Sequence, residues 1–148
     1  MSFVEKTLSI ARKRLVTIAA DSPLIDAARC LRESHTDLVI VCNRDARLAG
    51  VVTKSDVVRQ ISLCHGSACT TAASTVMTRT VTLCHVNDLL RDVWSTMKDR
   101  GLKNIPIVDM DSRPIGLLTA RDVLETLLEE VEHEEQLLRE YVMCVGYH

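Results

Sequence analysis

One phrase occurs twice in this chain of 148 residues. Gly50-Val51-Val52-Thr53-Lys54-Ser55-Asp56 runs into Val57-Val58, and Gly116-Leu117-Leu118-Thr119-Ala120-Arg121-Asp122 runs into Val123-Leu124. Each copy reads as an apolar strand that ends at a threonine, followed by a helix with an aspartate in its first turn. A chain built from two such units has a pseudo-twofold axis, and a cleft between two like halves can hold a ligand. Internal repetition therefore limits the fold before any other property does.

The surrounding sequence repeats as well. Val16-Thr17-Ile18 aligns with Val81-Thr82-Leu83 at an offset of 65, Leu38-Val39-Ile40-Val41 with Ile105-Pro106-Ile107-Val108 at 67, and Gly50 with Gly116 at 66. Each half opens on a short strand. An amphipathic helix follows, with Leu24, Ala27, Ala28 and Leu31 apolar in the first half and Leu89, Leu90, Val93, Trp94 and Met97 in the second. Ser22-Pro23 and Asn87-Asp88 are the start signals. An apolar strand, a turn (Asn43 to Arg47; Met110 to Pro114), another strand and the Thr-x-x-Asp helix complete the unit. Alternating strands and helices predict an α/β (α+β) sandwich. Val4, Leu8, Ile10 and Ala11 predict a short helix ahead of the first repeat. The expected boundaries are a lead-in over 1–14, one repeat over 15–66, a linker over 67–75, a second repeat over 76–130 and a helical extension over 131–148.

A chain of about 150 residues buries roughly 68–70% of its unfolded surface, so a real core is expected. Hydrophobic residues make up 47% and aromatics 3%, so that core must be aliphatic. A net charge of −2 leaves no basic footprint for nucleic acid. The N-terminus has no signal-like stretch, and residues 60–78, although uncharged, are too polar for a membrane span. The six cysteines read as reduced thiols of a cytoplasmic protein. Cys64-His65-x-x-x-Cys69 lacks the two-plus-two spacing of structural zinc and reads as part of the linker.

From Arg121 to about Val145 there is no proline or glycine. Leu124, Val131, Leu138 and Val145 recur every seven residues, flanked by rows containing Leu127 and Tyr141 or Leu128 and Val142 and interrupted at Glu134 and Glu135. This predicts a helix of roughly 36 Å that outruns its own domain and packs against a second copy.

The Thr-x-x-Asp phrase has two readings. In one, it is a capping box: Thr53 and Thr119 cap their helices, and Asp56 and Asp122 favour the positive dipole ends. In the other, the helix N-terminus receives a phosphate while the aspartate accepts hydrogen bonds from a ribose diol. The residues alone leave both open.

Together these features resemble a pair of CBS domains, named for cystathionine β-synthase, over about residues 10–130. The resemblance rests on the Val-Thr-Ile and Val-Thr-Leu openings, the Ile105-Pro106-Ile107-Val108-Asp109 strand, the two Gly-h-h-Thr-x-[Ser/Arg]-Asp phrases (h apolar) and Val76-Met77-Thr78. It implies a β-α-β-β-α unit in each half with the sheets packed together. It also implies adenosine-containing ligands (AMP, ADP, ATP or S-adenosylmethionine) in two clefts, frequent dimerisation, and regulation of partner proteins without catalysis. Carried over by position, Asp122 takes a ribose, Thr119 and Arg121 lie near its phosphates, and Lys103, Asn104, Ile105 and Pro106 form the facing edge. The other cleft uses Asp56, Thr53, Ser55, Thr36, Asp37 and Leu38. The adenine ends lie near Leu15 and Val16 or Val76 and Met77. Asp37 near a phosphate is repulsive, which favours the Asp122 cleft.

Two functions follow as expectations. One is a regulatory sensor that binds an adenine nucleotide and acts on a partner in trans, since the chain has no room for an attached enzyme. The other is a dimeric interaction module whose acidic helix meets a basic partner through Glu129, Glu130, Glu132, Glu134, Glu135 and Glu140. No nucleophile elbow or metal-ligand framework points to an enzyme.

Overall fold

The computed structural model describes residues 2–34, 36–63 and 70–146. Cys64, His65 and Cys69, with the first part of the expected linker, lie outside the described residues. In the first half, β1 (Thr17–Ala19) leads to α2 (Leu24–Glu33), β2 (Leu38–Cys42), β3 (Leu48–Thr53) and α3 (Lys54–Leu63). In the second, α5 (Leu90–Arg100) leads to β4 (Asn104–Val108), β5 (Pro114–Thr119) and α6 (Ala120–Gly146). Ahead of each half stands a short helical segment. Residues Val4–Thr7 form a 3-10 turn that continues into α1 (Leu8–Arg14), and α4 (Ala73–Val76) precedes the second half.

Backbone register shows that one offset, 66, relates the halves throughout. Leu38 pairs with Thr53 as Asn104 pairs with Thr119, and both hairpins break register at equivalent places, Val41/Cys42 and Ile107/Val108. The two turns match too. Ala46 and Ser112 have φ of 62° and 63°. Asn43 Oδ1 accepts the backbone N–H groups of Asp45 and Arg47, as Asp109 Oδ1 accepts those of Asp111 and Arg113. The offsets of 65 and 67 are thereby corrected. Ile18 corresponds to Cys84, Val39 to Ile105 and Asp37 to Lys103. A uniform apolar run can slide by one residue on paper, whereas hydrogen-bond register cannot.

Among the described residues, the expected strand over 81–83 is replaced by a single parallel bridge, Cys84 to Ile107, and the sheets have three and two strands. The reason is Pro106. Its counterpart Ile40 donates its N–H to Val16 O at 2.9 Å, which joins β1 to β2. Proline has no N–H, so the equivalent bond cannot form.

Each lead-in segment crosses to the other half. Leu90 N–H donates to Ser2 O and Val4 N–H to Asp88 O, both at 2.9 Å. Leu24 N–H donates to Thr71 O at 2.7 Å and Ala73 N–H to Ser22 O at 2.8 Å. Each half has its own aliphatic core, one around Leu90, Met97, Ile105, Ile107 and Leu118, the other around Leu24, Ala27, Val41 and Val52. A third cluster of Leu38, Ile40, Val51 and Leu117 lies where the sheets meet. α6 has 27 residues, about 40 Å at 1.5 Å per residue. Val123 is buried near its start, while Val131, Leu137, Leu138, Tyr141 and Val142 are exposed further along.

Candidate ligand clefts

In each half the strand threonine caps the following helix: Asp56 N–H donates to Thr53 Oγ1 at 3.2 Å, and Asp122 N–H to Thr119 Oγ1 at 3.1 Å. Beyond this the halves diverge. Asp56 completes a reciprocal capping box, its Oδ2 accepting Thr53 N–H at 3.0 Å. The Thr78 hydroxyl and Arg59 Nη2 also donate to it, at 3.3 and 3.0 Å. Asp122 instead receives a two-pronged ion pair from the last residue of α1. Arg14 Nε donates to Oδ2, and Nη2 donates to Oδ1 at 3.0 Å. Both carboxylates are buried, 3% and 4% exposed.

Two cavities adjoin these helix starts. The first, about 450 Å³, is lined by Thr119, Ala120 and Arg121 from the end of β5 and the start of α6, by Ser34, Thr36 and Asp37, by Lys103 and Asn104, and by Arg14. The second, about 460 Å³, is lined by Thr53, Lys54 and Ser55 together with Asp37, Leu38, Gly101, Leu102, Lys103 and Asn104. Each helix start therefore meets strand ends from both halves. Asp37 and Lys103, equivalent positions of opposite charge, line both cavities. Asp37 is paired with Lys54 Nζ at 3.1 Å, while Lys103 forms no ion pair among the described residues. The repulsion expected from Asp37 is thus offset by its own cation.

The structure brings Thr119, Arg121, Thr36, Asp37, Lys103 and Asn104 around one cavity, and Thr53, Ser55 and Leu38 around the other. It sets Ile105 in the core, with Pro106 buried beside it. Leu15 packs against the cluster between the sheets, and Val16 O is bound to β2. Val76 and Met77 pack against the core of the first half. These last six line neither cavity, and Asp56 and Asp122 sit beneath the helix starts, behind the lining. Arg14, Ser34 and Lys54 were missed. Lys54 lies inside the repeated phrase. Arg14 gives no sequence signal, because it reaches the second half from more than a hundred residues away.

Two like halves, each contributing a capped helix start to a shared polar trough, define a tandem-repeat cleft module. The family model described as "CBS domain" matches residues 8–63 and again 73–129, and the chain belongs to that family. The choline transport ATP-binding protein OpuBA of Bacillus subtilis is 30% identical over 135 residues, which is 91% of this chain and 34% of that protein. The chain thus spans about a third of that relative's length. An uncharacterized protein of Methanocaldococcus jannaschii is 24% identical over 148 residues, covering 78% of this chain and 88% of that protein. Among solved structures, CBSX2 in complex with AMP superposes with a TM-score of 0.75 at 21% identity, covering 87% of this chain and 98% of that one. The CBS domain pair of protein MJ0100, in complex with 5′-methylthioadenosine and S-adenosyl-L-methionine, gives 0.72 at 19% identity, covering 88% and 98%. At these identities the shared property is the fold.

Proposed function

We propose that this chain is a regulatory module that senses an adenosine-containing ligand. An adenine nucleotide or S-adenosylmethionine binds in one or both clefts, shifts the relation between the halves, and changes the state of a partner protein in trans without catalysis. One observation carries this reading. In the cavity of about 450 Å³, Arg14, Lys103 and Arg121 meet the hydroxyls of Thr36 and Thr119 and the amide of Asn104, beside a helix start. Cations and hydroxyls beside the positive end of a helix are groups a phosphorylated sugar needs. The adenosine ligands held by two similarly folded CBS pairs support the choice of ligand class. In this proposal Thr119 and Arg121 address phosphate, and Asp122 addresses the ribose. The adenine enters toward Leu15 and Val16 in one cleft, or toward Val76 and Met77 in the other.

Thermal unfolding with AMP, ADP, ATP, NAD and S-adenosylmethionine tests the reading. A ligand that binds only the folded chain at a hundredfold excess over Kd adds about 2.7 kcal/mol of stability. A panel without any shift would overturn it.

A second reading, an interaction module acting through α6, is favoured by the apolar side chains exposed along its distal half. Leu137, Leu138, Tyr141 and Val142 are more than half exposed on a helix that leaves its domain. We assign this surface to pairing with a second copy.

A further inference from the structure

We propose that Arg14 makes the cleft at the start of α6 selective for ligands that carry a phosphate-like anion, and closes it to neutral nucleosides. This rests on the ligand-sensing reading above and deepens it. Asp122 lies buried behind the cavity, and both its oxygens are held by the Arg14 guanidinium. Arg14 itself is 41% exposed and lines the cavity with Lys103 and Arg121. Its position is set by α1, which packs on β5 through Ala11 against Gly116.

A ligand can seat in two ways. With the ion pair intact, it meets cations and hydroxyls, and the one acid among the described lining residues, Asp37, is paired with Lys54. An anion then gains charge-assisted bonds that a neutral nucleoside cannot make. Alternatively, the diol of a sugar displaces Arg14 from Asp122. A buried carboxylate then loses its cation, which is strongly unfavourable unless the released guanidinium finds a new anion. Only a ligand that brings its own anion supplies one. Both routes discriminate in the same direction.

The other cleft has no arginine in its described lining. Asp56 is held by the Thr53 amide, by the neutral Thr78 hydroxyl from the lead-in segment, and by Arg59 of its own helix. The displacement route therefore belongs to one cleft, where it separates AMP from adenosine by charge, independently of the base.

Calorimetric titration of the full chain with AMP and with adenosine tests this. The wild type should bind AMP at least about tenfold more tightly than adenosine. Arg14→Ala should reduce that ratio to about threefold or less, with adenosine affinity unchanged or higher, and Arg14→Lys should fall between. If the wild type binds AMP and Arg14→Ala keeps its ratio, the role of Arg14 is overturned and the sensing reading stands. If no adenosine compound binds the wild type, both fall together. Should Arg14→Ala fail to fold, the wild-type Arg14 Nε–H resonance, assigned with Arg14→Lys, gives the answer. It should move on addition of AMP and stay in place with adenosine, and equal movement with both would refute the proposal.

Discussion

Gly116 lies beneath Ala11, so that a Cβ on the glycine would stand 2.9 Å from the alanine Cβ and 3.2 Å from its carbonyl carbon. The equivalent Gly50 lies beneath Met77 and Thr78, where a Cβ would meet Thr78 O at 2.7 Å and Met77 Sδ at 2.8 Å. The repeated phrase therefore begins with glycine because a lead-in segment from the opposite half crosses the strand there. On one side that crossing delivers Arg14 to Asp122, and on the other it delivers Thr78 to Asp56.

Gly116→Ala should accordingly destabilise the fold by about 1–3 kcal/mol, as overpacking does. For a chain of this length that is a fall in Tm of about 2–4 °C per kcal/mol. Ala11→Gly in the same chain should recover part of the loss, because the two sites are in contact. Calorimetric unfolding of the single and double variants checks this, and strictly additive effects would contradict the contact.

Asp56 and Asp122 should respond differently to truncation. Asp56→Ala removes the acceptor for Thr53 N–H and strands the Thr78 hydroxyl, a loss of about 1–3 kcal/mol. It should also speed exchange of the Thr53 amide. Asp122→Ala leaves the Thr119 cap of α6 in place and frees Arg14, so its amide-exchange signature should lie at the end of α1. Matching exchange patterns around both helix starts would argue against this difference.

Much of this architecture was legible because the sequence carries landmarks. The glycine, threonine and aspartate of the phrase fixed the hairpin ends and helix starts, and the aliphatic spacing marked α2, α5 and α6. Errors arose where landmarks are missing. The strands around Leu38–Val41 and Ile105–Val108 are near-uniform apolar runs, and an alignment slipped by one residue hid the equivalence of Asp37 with Lys103. Pro106 was visible, but its consequence depends on which neighbour its missing N–H would have served. The identity of the residue that holds Asp122 was not readable, since nothing local in Arg12-Lys13-Arg14 points across the molecule.

Cys84 should behave as a buried, unreactive thiol. Burial, and secondarily the charge of Asp88, push its pKa up from 9.0 to about 12. Because the folded state holds the proton to higher pH than the unfolded chain, this contribution to stability is complete below about pH 9. It is lost as pH rises from there toward 12. The denaturant midpoint should fall over that range in the wild type and fall less in Cys84→Ala. Alkylation at pH 8 should reach Cys84 only after unfolding. Rapid labelling of the native protein would show the thiol to be accessible.

The distal part of α6 should govern association. Ending the chain after Glu130 removes the exposed Leu137, Leu138, Tyr141 and Val142 and leaves Val123 and Leu127 to complete the core. The shortened chain should keep most of its Tm and sediment as a smaller species than the full chain. An unchanged sedimentation coefficient, corrected for mass, would remove the case for α6 pairing.

The equivalence of Asp37 and Lys103 yields a final expectation about charge. Both residues line both cavities, yet Asp37 is neutralised by Lys54 and Lys103 has no ion-pair partner among the described residues. Lys103 is thus the cation most available to an incoming anion at either helix start. Lys103→Ala should weaken AMP binding several-fold to about tenfold, whichever cleft is occupied. Asp37→Asn should have a smaller, strengthening effect, because the acid it removes is already compensated. Raising salt should narrow the Lys103 effect, since exposed charges are screened over about 10 Å at 0.1 M. A Lys103→Ala variant with wild-type affinity at low salt would show that the shared wall of the two clefts does not face the ligand's charge.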